Sequence, residues 1–170
     1  VLGKPEAETY SQLHRLSSRR FQEIYLDEKT GHTVYSSEDC ARGNRMIFEP
    51  IDRTKPLPPK AECGSYLMDT QTSYCVPMAL NVLDEDGAIK AGVHLVDVCQ
   101  RENEDDGGNL RPEYSLMTGF IGTAWILPSL TMAGRDDIAY RVLLNRQYPS
   151  WVYPVDQGAT SIWERLDSYT

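Results

Sequence analysis

Apolar positions along this chain recur at helical spacing, and no stretch alternates long enough to read as a useful strand. In "PEAETYSQLHRLSSRRFQEIYL" the residues Tyr10, Leu13 and Leu16, then Phe21 and Ile24, follow a proline placed where a first helical turn accepts one. A helix is predicted from about Glu6 to Tyr25. "DEKTGH" stops it, and residues 34–67 then carry four prolines, two cysteines and no sustained period. Such an excursion in a compact domain is usually functional or an insertion. From Thr70 the pattern is helical again in "TQTSYCVPMALNVL", where Pro77 is expected to kink or break the helix. After "DEDG", the segment "AIKAGVHLVDVCQR" aligns Ile89, Val93, Val96 and Cys99 along one stripe. "ENEDDGGNLRPEYS" is a polar connection dense in turn formers.

"FIGTAWILPSLTMAG" is apolar nearly all round, as an inner helix covered on both sides would be. "RDDIAYRVLLNRQY" is amphipathic, with Asp136 or Asp137 suited to cap its start and Arg146 to lie near its negative end. "PSWVYPVDQGA" reads as loop, and Ser161 is expected to open a further helix. Helices in consecutive pairs joined by short turns make the class mainly α. An all-apolar helix beside amphipathic ones implies inner and outer layers, which is the pattern of a ring of helical hairpins of which the chain holds a part.

Length and composition bound this picture. A chain of 170 residues, 41% hydrophobic and 25% charged, supports one domain with a sizeable core. The net charge of −8, with Lys and Arg scattered, argues against nucleic acid and against a polybasic membrane surface. No apolar stretch is long enough to span a bilayer, so a soluble protein is expected. The absence of an Asn-x-Ser/Thr acceptor leans weakly toward an intracellular or bacterial setting. Cys40, Cys63, Cys75 and Cys99 show no CxxC spacing and His14, His32 and His94 are far apart in sequence, so a zinc site is not expected. Cys75 and Cys99 lie on apolar helical faces and are read as buried free thiols. Cys40 and Cys63 flank a long loop and can pair only in an oxidising compartment.

The segment "TSIWER" carries the main question of chemistry. Ser161 with Glu164 three residues on is a capping box, which explains the glutamate without any catalysis. Yet Trp151, Tyr153 and Trp163 crowd the same region as Glu164, Arg165, Asp156 and Asp167. Aromatic faces beside carboxylates hold the apolar face of a sugar and bond its hydroxyls, and core packing gives the same composition. "ENEDDGG" lacks the spacing of a calcium loop. "TGFIGT" has neither the lysine of a P-loop nor a preceding strand, so its glycines are read as close packing against a neighbouring helix. "TQTSY" is read as a helix cap, and no Ser, His and acid set is supported.

Taken in order, "LGKPEAETY", "RRFQEIYLDEKTGH", "TQTSY", "TGFIGT" and above all "YPSWVYPVDQGATSIWERLDS" resemble the catalytic domain of α-L-rhamnosidases, glycoside hydrolase family 78. The resemblance covers the chain apart from residues 34–67. It implies an (α/α)6 barrel, here in part, and an inverting hydrolase that removes terminal α-L-rhamnose from glycosides without a cofactor. Glu164 matches the glutamate of the family's "WER" motif and would be the general base. Trp163 would shape the pocket or support the glutamate, and Arg165 would hold Glu164 ionised or orient a neighbour. Thr118, Gly119 and Phe120 match a loop near the pocket, and Trp151 and Tyr153 join the expected substrate contacts. The acidic motif that supplies the general acid is expected before Val1, and a histidine-bearing segment after Thr170. The implied partners are a rhamnose-containing glycoside and the remainder of the catalytic domain, so the chain alone is expected to be inactive. The rival expectation is a carbohydrate-binding or scaffold protein on the same barrel.

Overall fold

The computed structural model describes residues 4, 6–36, 67–105, 107–163 and 166. Among them the order is α1 (Glu6–Tyr25), α2 (Gln71–Ala79), α3 (Glu85–Cys99), β1 (Asn103–Glu104), β2 (Leu110–Arg111), α4 (Gly119–Thr123), α5 (Ile126–Met132), α6 (Asp136–Leu144) and α7 (Val152–Asp156). The class is mainly α, as the periodicity predicts. Two compact units are present, Val1–Asp69 with Leu80–Lys90, and Thr70–Ala79 with Ala91–Thr170. No helix of the described residues is long and apolar enough to cross a membrane.

In the first unit α1 has the predicted limits, and Glu6 and Glu8 in its first turn complement the helix dipole. None of its residues is buried, and Tyr10, Leu13 and Leu16 stand exposed. The helix ends where the Asp27 carboxylate accepts the N–H groups of Lys29 and Thr30 and the Thr30 hydroxyl. Gly31 completes the reversal at φ +75°, against Lys90, whose Cβ would lie 2.4 Å from any added Cβ. The chain then runs back so that Leu26 bridges Thr33, and Val34 in turn bridges Leu67, both antiparallel. Met68 N–H donates to the Thr33 carbonyl at 2.9 Å. The remainder of the predicted excursion, including Cys40 and Cys63, lies outside the described residues. Asp84 accepts the Gly87 N–H at 2.8 Å and so caps α3.

The second unit packs α2 against α4 and α5, and α5 against α6. Its core holds Tyr74, Cys75, Met78, Leu95, Val98, Cys99, Ile126, Leu130, Ile138 and Val142. Cys75 and Cys99 are free and buried, as expected, and burial pushes both thiols from 9.0 up to about 12. The polar connection holds a short antiparallel pair, with Asn103 opposite Arg111 and Glu104 opposite Leu110.

Several local expectations are corrected, most of them by proline. "FIGTAWILPSLTMAG" is not one inner helix but two short ones, with Ala124 and Trp125 in a turn between them. Pro128 is the third residue of α5, and its ring excludes a helical carbonyl four residues back, at Ala124. Phe120, Ile121 and Met132 of these helices are exposed rather than covered. "PSWVYPVDQGA" contains α7, with Pro154 again third, where its missing N–H is one that a helix start leaves unpaired anyway. Pro77 does not break α2, which continues to Ala79.

Neither Asp136 nor Asp137 caps α6. Asp136 accepts the Thr131 hydroxyl and Asp137 pairs with Arg135, both from the first turn. Arg146 lies beyond that helix and is paired with Asp156 at 2.9 Å. Residues 161–163 are not helical, so no helix opens at Ser161 among the described residues.

Candidate functional site

The second unit gathers three of the segments singled out in the sequence. Its anchor is the start of α2, where the Thr70 N–H donates to the Ser73 hydroxyl and the Ser73 N–H to the Thr70 hydroxyl, both at 3.1 Å. These reciprocal caps satisfy the helix start locally, as "TQTSY" predicts. Gln71 and Thr72 are then free to reach outward. The Gln71 side chain is buried. Its Nε2 donates to the Ser115 carbonyl at 2.8 Å and its Oε1 accepts the Met117 N–H at 2.8 Å. Thr72 donates its hydroxyl to the Thr118 carbonyl at 2.6 Å. Between these bonds, Leu116 N–H donates to the carbonyl of Pro149 at 2.7 Å.

The loop of residues 115–118 is therefore tied to α2 on one side and to the segment leading into α7 on the other. It ends at Gly119, whose φ of +57° favours glycine. Phe120 follows, 74% exposed, so the first side chain after the fixed backbone is an aromatic ring open to solvent. Thr118 itself is buried and shares its hydroxyl with that of Thr123 at 2.8 Å, so its side chain braces the loop internally. Gly122 is read correctly as a close-packing glycine: an added Cβ would lie 2.5 Å from the Thr72 hydroxyl and 2.8 Å from the Thr118 Cβ.

On the α7 side, the buried Ser150 hydroxyl accepts the Tyr153 N–H at 3.1 Å. Trp151, Tyr153 and Trp163 are each half-buried. The Tyr153 ring meets Tyr148 edge-on at 5.4 Å between centroids, and the Arg111 guanidinium lies 4.7 Å from the Tyr148 centroid. Arg111 is held in turn by Asp105 through its Nε at 2.8 Å. Asp105 also accepts the N–H groups of Asn109 and Gly107, each at 2.9 Å. The Asn109 N–H, then Arg111, depress the Asp105 carboxyl to about 2, so it stays ionised and keeps Arg111 over the ring.

The structure thus ties the loop that carries Thr118 and leads to Phe120 to the segment that leads to Trp151 and Tyr153, through the bond from Leu116 to Pro149. Glu164 and Arg165 lie outside the described residues, and so does Asp167. Sequence reasoning missed Gln71, Arg111 and Tyr148. The first was hidden because a glutamine beside capping residues looks like part of the cap, and the other two because a cation over a ring joins residues far apart in the chain. Among the described residues no group of three His, Cys, Asp or Glu side chains is placed to hold a metal ion.

Residues 1–170 match the family model for the bacterial alpha-L-rhamnosidase 6 hairpin glycosidase domain. A curated α-L-rhamnosidase of Streptomyces avermitilis is 37% identical over 108 residues, 64% of this chain and 10% of that protein. The crystal structure of Streptomyces avermitilis α-L-rhamnosidase complexed with L-rhamnose aligns with 99% of this chain and 12% of that one, at 28% identity and a TM-score of 0.65. The α-L-rhamnosidase structure from Dictyoglumus thermophilum aligns with 97% of this chain and 14% of that one, at 26% identity and a TM-score of 0.64. The chain spans about a tenth, 10%, of the length of the curated relatives it matches. With the mainly helical architecture described above, these likenesses place the fold as a part of a six-hairpin (α/α)6 toroid.

Proposed function

Since the chain belongs to the bacterial α-L-rhamnosidase six-hairpin glycosidase domain family, we propose that it forms part of the sugar pocket of an enzyme that hydrolyses terminal α-L-rhamnosides. The observation that carries this reading is the match over residues 1–170, supported by the likeness to a rhamnosidase holding L-rhamnose. The loop of residues 115–120 and the segment with Trp151 and Tyr153 form one wall. Aromatic rings there take the apolar face of the sugar, and the loop fixes where they stand.

Glu164 is the general base, and another part of the catalytic domain supplies the general acid. In the inverting mechanism the acid protonates the leaving oxygen while the base draws a proton from water on the opposite face of the ring. The two carboxyl groups then stand roughly 6.5–9.5 Å apart to admit that water. Both roles belong to side chains, so no cofactor enters. Trp163 borders the sugar, and Arg165 keeps Glu164 ionised. Further hairpins of the domain are the partner of the exposed apolar residues in each unit other than Phe120.

The test is hydrolysis of an aryl α-L-rhamnoside by the complete protein, with the first-released anomer followed by NMR. The expected product is β-L-rhamnose, and Glu164→Gln is expected to lower kcat by roughly 10²-fold or more, as loss of a general base does. An unchanged kcat would remove Glu164 from the mechanism. Release of α-L-rhamnose would exclude inversion, and rhamnose binding without cleavage would favour the carbohydrate-binding alternative.

A further inference from the structure

We infer that Gln71 and Thr72 are positioning residues for sugar recognition, setting through the backbone of residues 115–118 where Phe120 meets the substrate. This rests on the rhamnosidase reading and names a specificity element within the same site.

The argument begins with what a buried amide does. Gln71 is only 2% exposed, and its amide carries both a donor and an acceptor in one rigid plane. The donor goes to the Ser115 carbonyl and the acceptor takes the Met117 N–H, each at 2.8 Å. A loop held at two positions from one plane can neither slide along α2 nor rotate about it. Thr72 adds the Thr118 carbonyl at 2.6 Å, and Leu116 is bound to Pro149 at 2.7 Å. Four successive residues thus each have a backbone group bound to chain distant in sequence.

An apolar side chain of the same size would fill the space beneath the loop but leave the Ser115 carbonyl and the Met117 N–H without these partners, and a buried polar group left unpaired is costly. What the amide adds is one geometry. The fixed backbone stops at Gly119, and the next two side chains, Phe120 and Ile121, are 74% and 71% exposed. Recognition surfaces are built this way: the backbone that leads to the ring is set before binding, so less affinity is lost to ordering it.

The experiment uses the complete protein. Gln71→Glu keeps the side-chain size and the acceptor for Met117 but replaces the donor toward Ser115 by a second acceptor. Its KM for an aryl α-L-rhamnoside is expected to rise about tenfold, the effect of one misplaced hydrogen-bonded contact, with kcat held within about twofold. Thr72→Val is expected to raise KM in the same sense, and Thr72→Ser to restore it. The Thr72 pair decides the matter if Gln71→Glu fails to fold.

A purely structural brace predicts otherwise. It lowers the melting temperature and leaves KM unmoved in every folded variant, and that result would overturn the inference while the rhamnosidase reading stood. Calorimetric binding of L-rhamnose to the wild type separates the two claims. A wild type that neither binds rhamnose nor cleaves the rhamnoside removes both.

Discussion

Cys75 and Cys99 show how little a reactive residue type means without its surroundings. Both are fully buried among apolar neighbours, and both thiols are pushed from 9.0 up to about 12. The thiolate is the nucleophile, so these residues should remain unlabelled by iodoacetamide at pH 8 in the native state and be labelled once the protein is unfolded. Mass spectrometry of the two peptides reads this directly, and native labelling of either would contradict the burial. The sign of the linked pH effect follows from the raised values. Below pH 9 both folded and unfolded thiols are protonated and nothing is lost. Above it the unfolded chain releases protons that the fold retains, so stability falls as pH rises toward about 12. Burial of these thiols was legible in the sequence because each sits on an apolar helical stripe. The role of Gln71 was not, since nothing local distinguishes an amide that caps from one that reaches a loop 44 and 46 residues away.

Helices were read well where caps and periodicity agreed, as in α1, whose two limits follow from its acidic first turn and the Asp27 turn after it. They were read poorly where proline was taken only as a breaker. Pro128 and Pro154 each stand third in a helix, and a proline there marks a beginning. Counting back from it would have split "FIGTAWILPSLTMAG" and found α7. The close contact between α2 and α4 gives a prediction of its own. Gly122→Ala places a Cβ 2.5 Å from the Thr72 hydroxyl, with the Thr118 Cβ at 2.8 Å and the Thr72 Cβ at 3.2 Å. The expected cost is about 1–3 kcal/mol, as for overpacking elsewhere, read from the midpoint of a urea melt. A change below about 0.5 kcal/mol, the usual range for surface positions, would mean that the two helices separate freely.

For the whole molecule the informative surface is apolar. Tyr10, Leu13 and Leu16 stand exposed on α1, and in the second unit, apart from Phe120 at the proposed sugar site, Ile121, Met132, Tyr140 and Leu144 do the same. A chain about a tenth as long as its curated relatives, with an identity of 37% to one of them, is expected to bury such residues against further hairpins of the domain. The 170-residue chain expressed alone should therefore enhance the fluorescence of a hydrophobic dye well beyond the complete protein at equal molarity. Equal enhancement would place those residues at the surface of the complete protein. The family was legible because its motifs are long and ordered along the chain, whereas the assembly around residues 115–118 depends on contacts between segments that sequence spacing does not encode. One further consequence follows from the antiparallel bridge of Val34 with Leu67. The path departs and returns at a single point, so the cost of closing whatever lies between grows only with the logarithm of its length. A foreign peptide grafted between those two positions is therefore expected to add little closure entropy for its length.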